Sequence, residues 1–146
     1  MAFGLALVVV VADRVITTLV EHHQHGVTHV FGPFGLALSF NSGFAFSLFS
    51  GRATLVTVLL CLGVAILAVV VSRVRTVPQA IGAGLVLGGA VGNLSERLFS
   101  THQGQVPDFI TLTHWPTFNV ADACITIGVV VVAITLVFGH TPETAS

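Results

Sequence analysis

Two aspartates flank the start of the last apolar segment of the chain: Asp108, in the string VPDFI, and Asp122, in FNVADACI. A charged side chain near the centre of a membrane helix costs about 2.5–3.5 kcal/mol on insertion scales, so a carboxylate kept in such a stretch points to a use. Brought to about 4 Å, two carboxylates repel by about 4 kcal/mol at an effective dielectric near 20, equivalent to roughly three pKa units. One of them must then hold its proton near neutrality. Such a pair can polarise a carbonyl with its acid and activate water with its base, which hydrolyses an amide without a covalent intermediate. Its apparent pKa values belong to the pair rather than to either residue.

Other polar side chains accompany the two aspartates. Asn93, Glu96 and Arg97 end one apolar run, Asn119 stands three residues before Asp122, Asp13 interrupts the first run, and Asn41 lies in a connection. The spacings of Asn93 with Arg97 and of Asn119 with Asp122 put each pair on one helical face. Arg97 is expected to hold a carboxylate ionised, and the asparagines to leave no buried group unpaired. A polar network that merely keeps helices in register explains the same spacing. Several chemistries have less support. The chain has no lysine, so neither a serine–lysine dyad nor a Schiff base can be built. No H-E-x-x-H is present, and His22, His23, His25 and His29 of EHHQHGVTH match no familiar ligand set, so no metal or other cofactor is expected. Cys124 with His114 could form a thiol and its base, but Cys124 falls in an apolar helix without an evident activating cation.

The elements that must position these groups are membrane helices. Of 146 residues 54% are hydrophobic and 8% charged, far from the composition of a soluble domain. Four runs, about 2–20, 53–71, 79–99 and 117–138, suit a hydrocarbon core that takes about 20 helical residues to cross. The first lacks the basic n-region and cleavage site of a signal peptide and is expected to be retained. Arg73 and Arg75 in the short linker SRVRTVPQ predict a cytoplasmic turn, hence cytoplasmic termini, and put residues 21–52 and 100–116 on the outer side. Glycines and Pro33 argue against a fifth span in residues 21–52, whose Phe-rich alternation predicts a strand-like or surface-lying element. With this sidedness, three helices and two loops bring their polar groups to one level near the outer interface. Gly84, Gly88 and Gly92 fall on one face of the third span, for tight packing within the bundle or, less simply, between copies. Cys61 and Cys124 read as small core residues. The five basic residues are scattered arginines, so nucleic acid is not an expected partner. No linker divides the chain, which reads as one membrane-embedded unit spanning 1–146.

The strings NSGFAFS (41–47), GGAVGNLSERL (88–98), VPDFI (106–110) and FNVADACI (118–125) resemble, in order and sidedness, the motifs of the bacterial lipoprotein signal peptidase family, also called signal peptidase II. An Asp in the first span, Asp13, also matches. The resemblance implies an all-α integral membrane fold of four transmembrane helices, with a small periplasmic β-cradle and a short outward helix. It implies a monomeric aspartic endopeptidase of the inner membrane that removes the signal peptide of diacylglyceryl-modified prolipoproteins, cutting before the lipidated cysteine. It assigns the catalytic pair to Asp108 and Asp122, and supporting or substrate-binding roles to Asp13, Asn41, Asn93, Glu96, Arg97 and Asn119. The chain departs from the family pattern at Glu96, usually aspartate, at Thr17, usually lysine, and at Pro107, usually aliphatic. An inactive relative that binds lipid or lipidated peptide is the alternative. A proton-coupled transporter has less support, for want of an inverted repeat.

Overall fold

The computed structural model describes residues 1–23, 26–43 and 53–138. In chain order the elements are α1 (Ala2–His23), β1 (Thr28–Phe31), β2 (Phe34–Asn41), α2 (Ala53–Ser72), α3 (Val77–Phe99), β3 (Val106–Leu112), β4 (Trp115–Phe118) and α4 (Val120–Phe138). All four helices are long and apolar enough to cross a membrane. Their outer faces expose large hydrophobic side chains such as Leu7, Val11, Leu62, Ile66, Val130 and Ile134, as suits a hydrocarbon solvent.

The bundle is organised around α3. The buried residues of α1 are Ala2, Ala6, Val9, Asp13 and Thr17, a spacing of three or four that makes one stripe. That stripe lies on the glycine face of α3: Gly84 sits against Ala2, Gly88 against Ala6 and Val9, and Gly92 against Asp13. The glycines therefore pack inside the bundle. Gly82 and Gly89, on another face of α3, meet α4 at Gly128 and Ala121, and a Cβ at Gly128 would stand 2.6 Å from the Gly82 carbonyl oxygen. Small residues on both helices let the backbones approach. Val71 of α2 completes a cluster with Ala2, Ala6, Ala83 and Leu87.

A four-stranded antiparallel sheet in the order β1-β2-β3-β4 caps one end of the bundle. It combines two hairpins, one from each of the two long connections. In the first, Phe31 pairs with Phe34 across a two-residue turn, where Gly32 has φ +52° as a type II′ turn requires, followed by Pro33. The second turns at Thr113–His114 between Leu112 and Trp115. The hairpins join through β2 and β3, with Ser39 opposite Asp108 and Asn41 opposite Val106. The fold is thus four helices with a sheet rather than all-helical. No further helix occurs among the described residues; residues 44–52, part of the outward stretch 21–52, lie outside them. The fourth helix starts at Val120 rather than 117 because residues 115–118 pair with β3 instead. The first continues to His23, whose Nδ1 lies 2.9 Å from the Leu19 carbonyl oxygen, a C-terminal contact typical of histidine.

Candidate active site

Where the sheet meets the bundle, polar side chains from four elements converge. Asn119 is the organising residue. It occupies the N-cap of α4, and its Oδ1 accepts the Asp122 N–H at 2.8 Å, satisfying a donor that a helix start leaves free. Its Nδ2 donates to Asp108 Oδ1 at 2.9 Å and to Asn93 Oδ1 at 3.1 Å. Asn93 in turn donates to Asp122 Oδ1 at 2.9 Å. Asn41, at the end of β2, donates to the other Asp108 oxygen at 2.9 Å, while its own Oδ1 accepts the Gly43 N–H at 2.8 Å. Both aspartates and Asn119 are at least 97% buried, yet each carboxylate has amide partners, as buried carboxylates require.

The two aspartates line one small cavity of about 10 Å³, together with Asn41, Asn93, Arg97 and Asn119. That volume is on the scale of a single water. Beside it an apolar cleft of about 230 Å³, walled by Trp115, Phe118, Ala123, Thr126 and Ile127, reaches Asp122. Burial, and next the Asp122 charge, push the Asp108 carboxyl up to about 7, against the hydrogen bonds of Asn41 and Asn119. Pro107, buried beside it, pairs in register with Phe40 and has a fixed φ, which stiffens the backbone that presents Asp108.

The remaining residues support this arrangement from outside it. Asp13 Oδ1 accepts the Ala121 N–H at 2.9 Å, a second first-turn donor of α4, so α1 helps to cap the helix that carries Asp122. Gly92 leaves the room: a Cβ there would stand 3.1 Å from Asp13 Oδ2. Arg97 corrects an expectation. Its guanidinium holds no carboxylate but donates to the carbonyl oxygens of Gly104 at 2.7 Å, of Ser42 at 3.5 Å, and of Gly43. The planar fork fits carbonyls of both connections at once, and it acts on Asp108 only through its charge. Glu96, 1% exposed, is paired with Arg14. Sequence reasoning passed over Arg14; a buried acid needs a cation, and Arg14 is the only basic residue of α1 other than its terminal histidines. It also passed over the Ser39 hydroxyl, 2.8 Å from Thr117 Oγ1, which links β2 to β4.

Other sequence candidates do not assemble. Cys124 is half-buried on α4 and His114 exposed in the β3–β4 turn, and no hydrogen bond joins them; both cysteines are free. Among the described residues no group of three or more His, Cys, Asp or Glu could hold a metal; His25 lies outside them.

Comparison with known proteins places the chain in a family. The family model described as "Signal peptidase (SPase) II" matches residues 5–138. The lipoprotein signal peptidase of Rhodococcus jostii (strain RHA1) is 42% identical over 112 residues, 74% of this chain and 56% of that protein. That of Mycobacterium tuberculosis (strain CDC 1551 / Oshkosh) is 38% identical over 108 residues, 71% and 53%, and that of Sulfurihydrogenibium sp. (strain YO3AOP1) is 32% identical over 140, 86% and 84%. The match thus spans little more than half the length of the first two relatives. A bacterial membrane enzyme solved by the in meso method at 2.3 Å superposes with a TM-score of 0.85 at 22% identity, over 99% of this chain and 94% of that one, a likeness of fold. From the match along residues 5–138 and the similarity to the Sulfurihydrogenibium protein over most of both chains, the chain belongs to the signal peptidase II family.

Proposed function

We propose that the protein is an aspartic endopeptidase that removes the signal peptide from diacylglyceryl-modified prolipoproteins, cutting before the lipidated cysteine. The observation that carries this reading is the single cavity of about 10 Å³ lined by both Asp108 and Asp122, with the asparagine circuit between them. Asp108, pushed up to about 7, carries the shared proton near neutrality, and Asp122 is the ionised member at the positive end of α4. Asp122 takes a proton from water while the hydroxide attacks the scissile carbonyl, and Asp108 gives its proton to the carbonyl oxygen. The tetrahedral intermediate collapses as Asp122 returns a proton to the departing amine and Asp108 recovers its own from the hydroxyl. The pair thus returns to its starting state, with no cofactor in the cycle. Asn41, Asn93 and Asn119 orient the carboxylates, Asp13 steadies α4, Arg97 ties the connections together, and Glu96 joins α3 to Arg14 on α1. The apolar cleft reaching Asp122 supports entry of a substrate that stays anchored in lipid.

The same reading sets the enzyme in the bacterial inner membrane, as one unit, with its termini and the α2–α3 turn in the cytoplasm and the site at the outer face. Occupation of the α3 glycine faces by α1 and α4 supports a monomer. The test is cleavage of a diacylglyceryl-modified precursor by the purified protein, read as a new N-terminus at the cysteine. Asp108→Asn and Asp122→Asn are each expected to lower the rate by at least about 100-fold while leaving the protein folded. Substantial cleavage by either variant overturns the dyad, and precursor binding without cleavage by the unaltered protein overturns the enzyme reading.

A further inference from the structure

The end of the bundle opposite the sheet is built differently. There α2 and α4 do not close over α3, and an apolar groove of about 560 Å³ remains, lined by Leu67, Val86, Val132 and Leu136 among others, with Arg73 and Gln79 among its polar lining residues. Arg73 stands at the α2–α3 turn and Gln79 in the first turn of α3. Leu67 and Val86 lie six and seven residues deeper along α2 and α3. The groove therefore runs roughly 10 Å inward at about 1.5 Å per residue, about two thirds of one leaflet of a ~30 Å core. A separate groove of about 330 Å³, between the N-terminus of α1 and the end of α2, includes Arg75 instead.

Charge is divided along the bundle. The carboxylates of the described acids are engaged at the sheet end or beside it: Asp13 of α1 by the Ala121 N–H, Asp122 by Asn93, Asp108 by Asn41 and Asn119, Glu96 by Arg14, and Glu21 near His102. Among the described residues neither Arg73 nor Arg75 has an ion-pair partner. We propose that the α2–α3–α4 groove binds an anionic phospholipid, one acyl chain lying over α3 and the phosphate held by Arg73 and Gln79. Hydrocarbon matches the lining, and a guanidinium at headgroup depth matches phosphate oxygens in charge and in fork geometry. A signal segment is a poorer occupant, because its basic n-region would meet Arg73 as a like charge.

The experiment measures lipid retained by the detergent-purified full chain, by native mass spectrometry, after exposure to equimolar phosphatidylglycerol and phosphatidylcholine. The expected result is retention of phosphatidylglycerol about fivefold above phosphatidylcholine, the factor for one basic residue near an anionic headgroup. Arg73→Gln removes that preference, Arg73→Lys keeps most of it, and Val132→Trp, which fills the groove, lowers retention with Arg73 still present. Arg75→Gln, on the other groove, leaves it intact. No preference in the unaltered protein, a preference that survives Arg73→Gln, or an equal loss in Arg75→Gln overturns the proposal, the last by reducing it to general surface charge. Displacement of the lipid by equimolar glycerol phosphate overturns it too, since a headgroup site would then suffice. The readout is lipid retention, so it is independent of the peptidase reading.

Discussion

Asp108 is held between opposing influences, and its titration gives the residue-scale test. Burial and the neighbouring Asp122 charge raise it from an ordinary 3.8 to about 7, while amide donors from Asn41 and Asn119 pull the other way. An acid that must carry a proton loses function as pH rises through that value, so kcat/KM is expected to fall above about pH 7. Asn41→Ala removes a donor that favours the ionised form, which raises the Asp108 pKa further and moves this limb to higher pH; a pH–rate profile of the variant checks the sign. A limb that stays in place or moves down would separate it from Asp108. Linkage runs in the same direction: a raised carboxyl pKa favours the fold most below about 4, and that contribution is lost as pH climbs through about 7.

At the scale of elements, the distance between α3 and α4 determines whether Asn93 can reach Asp122. Gly89 faces the Ala121 carbonyl and the Ile125 side chain, whereas Gly63 on α2 has no atom within 4 Å of an added Cβ. Gly89→Ala is therefore expected to cost about 1–3 kcal/mol through overpacking and to lower cleavage with it, by forcing apart the helices that carry Asn93 and Asp122. Gly63→Ala should be neutral or stabilise by up to about 1 kcal/mol through helix propensity. Thermal unfolding in detergent, beside the cleavage rate, compares the two. The Arg14–Glu96 pair joins α1 to α3. Arg14 is half-exposed and Glu96 buried, so Arg14→Gln, which strands a buried charge, is expected to cost about 1–3 kcal/mol, below the full value for a buried pair. Adding Glu96→Gln should recover part of that loss. A double variant no more stable than Arg14→Gln alone would show that the pair is not the link.

Over the whole molecule, both hairpins leave the bundle at one end and the α2–α3 turn at the other, so the sidedness of one end determines that of the other. With the turn in the cytoplasm, a cysteine replacing Thr76 in a background of Cys61→Ala and Cys124→Ala should react with a membrane-impermeant maleimide only after permeabilisation. One replacing Thr101 should react in intact spheroplasts. The reverse pattern would invert the orientation and put the site on the cytoplasmic side. The same division leaves Arg73 and Arg75 at one end and the carboxylates at or near the other. The bundle can then hold its peptide chemistry near one interface and its lipid contacts at the other.

The sequence by itself determined the medium, the helices and the polar level. Apolar runs of membrane length and the spacing of Gly84, Gly88 and Gly92 are local patterns, and period is legible without a partner, whereas the buried stripe of α1 emerged only from its packing on α3. Asp108 and Asp122 stood out because ionisation in hydrocarbon is expensive wherever it occurs. What only the tertiary structure decided depends on contacts far apart in sequence. Asn119 became a cap and hinge of hydrogen bonds rather than a helix residue because β4 takes residues 115–118. Arg97 turned to the carbonyls of both connections instead of a carboxylate, since those carbonyls lie nearer its fork once β2 and β3 pair. Arg14 found Glu96 only because α1 packs along α3. Propensity and periodicity act over one or two turns, but the partner of a buried charge is chosen by packing across the whole bundle.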